Sequence, residues 1–181
     1  QGQTVKQNVF DGEILWSTNM MSQKAEKSSQ EDTDNAKNEA ASFPDPFLDY
    51  KAKGYSVEFM GKEEFEGSET LKLKLTKLPT MVEGIPVDNI SYYFFDTENF
   101  VPIAMQTEIK SGQAKGMTSE NTFSDYQEVD GLYFPFSITQ GIKGQPGLSI
   151  TVEKYEINPE VDESIFMFPK EVVTTPTDEK N

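Results

Sequence analysis

The stretch FSDYQEVDGLYFPFSI, residues 123–138, carries the pattern from which the rest of the chain can be read. Asp130-Gly131 is turn chemistry, and after it Leu132, Phe134, Phe136 and Ile138 fall on every second position, the period of a strand with one apolar face. Pro135 stands among them, although proline cannot donate to a strand ladder and is confined to strand starts, edges and bulges. The reading is therefore a hairpin whose second strand is greasy on one side.

The same period runs outward in both directions. It holds in YSVEFMGKEEFEG (55–67) and most cleanly in SETLKLKLTKL (68–78), where Leu71, Leu73 and Leu75 alternate with Lys72, Lys74 and Thr76. It continues through NISYYFFD (89–96), VPIAMQTEI (101–109), GMTSENTFSDY (116–126) and GLSITVEKYEI (147–157). Short links with Asp, Asn, Ser and Gly join these runs, which predicts an antiparallel meander. In the last run the apolar positions change parity between Val152 and Tyr155, which predicts a bulge or bend. LPTMVEGIPVDN (78–89), with two prolines, reads as the least regular connector, an excursion at a sheet end.

Before residue 55 the signals differ. VKQNVFDGEILWST (5–18) predicts a hairpin turning at Asp11-Gly12. SSQEDTDNAKNEAASF (28–43) predicts a polar helix opened by a capping box, Ser28 with Glu31, and stopped by Pro44. DPFLDYKAKGY (45–55) predicts a short helix capped by Asp45 and closed by Gly54. TTPTDEKN at the end predicts a flexible tail over residues 171–181.

Composition limits function. A net charge of −15 repels nucleic-acid phosphate and anionic lipid surfaces at long range. With no Cys and no His, the 181-residue chain lacks thiolate nucleophiles, Cys/His zinc sites and the Ser-His-Asp arrangement. Carboxylate pairs such as Asp125/Asp130, Asp96/Glu98, Glu63/Glu64 and Asp45/Asp49 fall in turns and caps, where solvation is expected in place of the semi-apolar cleft that paired-carboxylate catalysis needs. No calcium-loop pattern occurs, so the reading is no metal, no cofactor and no enzyme. No run reaches the ~20 apolar residues of a membrane span. The 13 Phe and 7 Tyr supply a core, and a one-sided apolar sheet has to be covered by helices, a second sheet or a ligand.

The order of DGEILW (11–16), FLDYKAKGYSVEFMGKEEFEGSETLKLKLT (47–76), YYFFDTENFVPI (92–103), FSDYQEVDGLYFP (123–135) and INPEVDESIFMFP (157–169) resembles the outer-membrane lipoprotein-sorting proteins, the LolA-like periplasmic carriers. The resemblance runs over nearly the whole chain. It implies a mainly β (α+β) fold, a single bent antiparallel sheet forming an unclosed half-barrel with helices over its concave face. The implied domain occupies residues 1–170 with a helical insertion at about 20–54, and lacks the N-terminal helix and first strands usual in the family. The implied activity is non-enzymatic binding of lipid or of lipoprotein acyl chains, at the periplasm or outer membrane of a Gram-negative envelope, with an envelope protein as a further partner. The alternative is a scaffold or interaction module of the same fold, its groove filled by its own helices. Under the carrier reading the lining residues are Trp16, Leu71, Leu73, Leu75, Phe94, Ile103, Met105, Phe134, Phe136, Ile138, Ile150 and Val152, and Pro135 points outward. Proteobacterial members latch the helical lid with arginine; this chain has none, so that latch has no counterpart.

Overall fold

The computed structural model describes residues 7–169. Where the sequence reading places one domain over residues 1–170, the backbone gathers into two compact units: residues 38–160, and residues 7–37 together with 161–169. The expected strand residue Val5 and the expected tail over residues 171–181 lie outside the described residues.

The smaller unit is a three-stranded antiparallel sheet of β1 (Asn8–Phe10), β2 (Leu15–Thr18) and β3 (Ala25–Lys27), in the order β1-β2-β3. Asp11 Oδ1 accepts the backbone N–H groups of Glu13 and Ile14 at 2.8 and 2.7 Å, which closes the expected turn. Those two N–H groups hold the Asp11 carboxyl below its ordinary range. Trp16 is buried on β2, where its indole N–H donates to the Phe166 carbonyl at 2.9 Å and its ring meets Phe168 edge-on.

The helical insertion expected at about 20–54 is mostly not helix. One helix, α1 (Gln30–Ala40), forms, and its cap lies one residue later than the sequence suggests: Ser29 Oγ accepts the Asp32 N–H at 3.0 Å and donates to Asp32 Oδ2 at 2.7 Å. The second expected helix is a series of turns over residues 46–54. Asp49 adopts φ +50°, a left-handed conformation that interrupts the helical path, although Asp45 does cap the first turn through the Phe47 N–H.

The larger unit is the meander. β4 (Ser56–Phe65), β5 (Ser68–Thr76), β8 (Ile90–Asp96), β9 (Pro102–Glu108), β10 (Thr118–Val129), β11 (Leu132–Ile142) and β12 (Leu148–Thr151) form one antiparallel sheet. The order is β12-β11-β10-β9-β8-β5-β4, with β12 and β4 at the edges, so the sheet does not close into a barrel. The connector expected to be irregular is instead a small hairpin, β6 (Thr80–Val82) with β7 (Ile85–Val87). Its two-residue turn, Glu83-Gly84 at φ +53° and +77°, matches Asp130-Gly131 at φ +49° and +81°, the geometry that suits a tight hairpin.

Pro135 sits where β11 has lost one neighbour. β12 pairs with β11 only over Ser137–Gln140, and immediately beside the Tyr126–Pro135 pair the β10 ladder is interrupted at Asp125, which adopts φ +52°. The missing N–H therefore falls in an already broken stretch of ladder.

Candidate functional site

Directly paired residues share a face of a sheet, so the register shows which side chains meet. One row crosses all seven strands: Phe59, Leu73, Tyr93, Met105, Asn121, Gln140 and Leu148. One step along the strands to one side, Val57 pairs with Leu75 and Leu75 with Ser91. To the other side, Leu71 pairs with Phe95, and Phe123 with Ile138 and Ile138 with Ile150. Six of the twelve expected lining residues are thereby brought onto one face: Leu71, Leu73, Leu75, Met105, Ile138 and Ile150. By strand alternation Phe134 and Phe136 belong to it as well.

The other four are placed differently. Phe94 is on the opposite face, since it pairs with Lys72 and Ala104. It is buried there by its own neighbours, with the Phe65 ring at 5.0 Å and Lys72 Nζ 5.1 Å above its ring. Lys72 Nζ also lies over Tyr92 and pairs with Glu63 at 2.8 Å. Ile103 stands at the bulge where β9 gains a residue between its pairings with Phe94 and Phe95, which takes it out of strict alternation with Met105. Val152 follows the end of β12 and donates its N–H to the Phe136 carbonyl at 2.8 Å. Trp16 belongs to the three-stranded sheet of the other unit.

Sequence reasoning missed Tyr93, Phe95 and Phe123 on the apolar face. In YYFF (92–95) every side chain is aromatic, so period two gives no way of telling Tyr92 and Phe94 from Tyr93 and Phe95.

Cover on the apolar face is supplied at two places. Phe47, from the turns before β4, meets Tyr93 and Phe95 edge-on at 4.9 and 5.5 Å. Tyr155, from the segment after β12, stacks on Phe134 at 4.7 Å, meets Phe136 at 5.2 Å, and donates its hydroxyl to the Pro135 carbonyl at 2.7 Å. Between these covers Met105, Phe123, Ile138 and Ile150 are only half-buried, and toward the edges Phe59 and Leu148 are 60% and 67% exposed. Burial raises the Tyr93 phenol to about 12, and the Asp45 and Glu39 carboxylates add to the shift.

At the end of the sheet where β8 turns into β9, a cavity of about 500 Å³ opens among Asp96, Asn99, Val101, Ile103, Phe123 and the tyrosines 126 and 133. Among the described residues, no group of three or more Asp or Glu side chains is disposed to hold a metal ion, and no helix is long and apolar enough to cross a membrane.

No family profile matches the sequence, and no curated protein matches it. Two solved structures share the architecture. A domain designated an outer membrane lipoprotein-sorting protein from Vibrio parahaemolyticus is similar over 84% of this chain and 63% of its own, at 12% identity and a TM-score of 0.51. A DUF1329 family protein from Desulfovibrio piger is similar over 85% of this chain and 62% of its own, at 12% identity and a TM-score of 0.50. This chain thus spans less than two thirds of the length of either structure. The fold is LolA-like: a mostly antiparallel β architecture with one large unclosed sheet and, among the described residues, one α-helix.

Proposed function

We propose that this chain is a non-enzymatic protein of a Gram-negative cell envelope that binds lipid, or the acyl chains of a lipoprotein, on the apolar face of its open sheet. The observation that carries the reading is the register row from Phe59 to Leu148, flanked by Leu71, Leu75, Ile138 and Ile150, with ring contacts from Phe47 and Tyr155 over parts of this face. Half-buried apolar side chains between two aromatic covers offer an acyl chain a route across the strands. Each CH₂ withdrawn from water contributes ~0.8 kcal/mol, so a long contact is needed to compete with a membrane. The likeness in fold to a lipoprotein-sorting domain supports both the binding and the envelope location in this reading.

The test is native mass spectrometry and lipid extraction on protein isolated from a Gram-negative envelope, with titration of a fluorescent fatty acid alongside. Co-purifying lipid and saturable binding of the probe are expected. Protein free of lipid that leaves the probe unbound overturns the proposal.

A second reading is favoured by one observation, the polar pair Asn121 and Gln140 in the row between Met105 and Leu148. These amides suit contact with a protein segment better than with hydrocarbon, since amides in an apolar contact need hydrogen-bond partners. On that reading the fold is an interaction module, and an envelope protein rather than an acyl chain occupies the face.

A further inference from the structure

The cavity at the β8–β9 end of the sheet differs from the apolar face in its chemistry. Three aromatic residues, Phe123, Tyr126 and Tyr133, contribute to its wall together with the Asp96 carboxylate, and no lysine lines it. Asp96 Oδ1 is fully used within its own turn, accepting the backbone N–H groups of Glu98 and Asn99 at 3.0 and 2.6 Å and Asn99 Nδ2 at 3.2 Å. No donor from the described residues reaches Oδ2. The Tyr126 hydroxyl is likewise committed, donating to the Pro102 carbonyl at 2.5 Å, which fixes its ring at the wall.

We propose that this cavity binds a small organic cation, an ammonium group held by the free oxygen of Asp96 and the aromatic rings around it. A carboxylate with one unpaired oxygen beside several rings attracts an alkylated ammonium through charge and cation–π contact together. A volume of about 500 Å³ suits a small molecule rather than a chain segment. The net charge of −15 draws cations toward the whole surface and disfavours anions. The backbone N–H groups of Asn99 and Glu98 also keep Asp96 ionised by lowering its pKa. The proposal does not depend on acyl-chain binding, because the ligand group is charged and Asp96, Tyr126 and Tyr133 are not among the residues assigned to the acyl-binding face, although Phe123 borders both.

The experiment is a calorimetric or NMR titration of the full chain with choline and with its neutral isostere 3,3-dimethylbutan-1-ol. Saturable choline binding is expected, at least about tenfold tighter than the isostere. Asp96→Asn, which keeps an acceptor for the turn, is expected to weaken choline by about tenfold, and Tyr133→Leu, at a 62% exposed position, by severalfold. A further titration with glycerophosphocholine separates the sources: retained affinity points to a lipid headgroup and lost affinity to a free alkylated ammonium compound, and both support a cation site. Equal binding of choline and the isostere, or choline binding unchanged in both variants, overturns the proposal, and so does the absence of choline binding.

Discussion

Leu75 and Leu148 stand on the same face of the same sheet, yet Leu75 is 0% exposed on an inner strand and Leu148 is 67% exposed on an edge strand. Alternation identifies both as inward residues, but it does not say how many layers of chain lie over each. Leu75→Ala is therefore expected to lower stability in urea denaturation by about 2–5 kcal/mol, and Leu148→Ala by less than about 1 kcal/mol. Tyr93 gives a prediction in pH. Its folded pKa, about 12, lies above the ordinary tyrosine value of 10.0, so the neutral phenol is favoured by folding. That contribution is complete below 10.0 and is lost as pH rises through about 12. Over this window Tyr93→Phe is expected to lose less stability than the parent chain, read as denaturation midpoints against pH. An equal loss in both would show that burial of this phenol does not govern the alkaline limb. Among the candidate site residues, those on cleanly alternating strands, such as Leu73 and Ile138, were legible in the sequence. Phe94 was misassigned because its run is aromatic throughout, and Ile103 because a bulge is a property of two strands together.

The elements follow the same logic of local signal against tertiary context. All seven strands of the large sheet correspond to alternating runs, and the turns at Asp11-Gly12 and Asp130-Gly131 fall where their residues predict. The connector at residues 78–89 was read as irregular because its prolines outweighed Glu83-Gly84, a pair able to take the two left-handed conformations of a tight hairpin. The turns at residues 46–54 carry good helix-capping chemistry but were too short to hold a helix against the demand to place Phe47 over Tyr93 and Phe95. Under the proposed function this segment is a cover, whose Phe47 ring rests edge-on against Tyr93 and Phe95. Phe47→Ala is expected to destabilise the fold by about 1–3 kcal/mol while tightening binding of a fluorescent fatty acid by severalfold. Destabilisation with unchanged or weaker probe binding would mean that Phe47 is ordinary core and favour the interaction-module reading.

For the molecule as a whole, the one-sided strands predict an antiparallel meander and the resemblance to the lipoprotein-sorting proteins implies that it stays open; the structure has one large open sheet with β4 and β12 at its edges. The division into two units was not legible, because residues 161–169 join residues 7–37 across the whole length of the meander and no local pattern announces such a return. The central claim is that the row from Phe59 to Leu148 holds acyl chains on one face only. Its most direct test is photo-crosslinking of a long-chain fatty acid bearing a diazirine, with adducts mapped by mass spectrometry. The account predicts saturable labelling at Leu73, Met105, Phe123 and Ile138, competed by unmodified fatty acid, with Lys74, Gln106 and Thr122 of the opposite face unlabelled. Labelling spread over both faces, or none that unmodified fatty acid competes away, would contradict it.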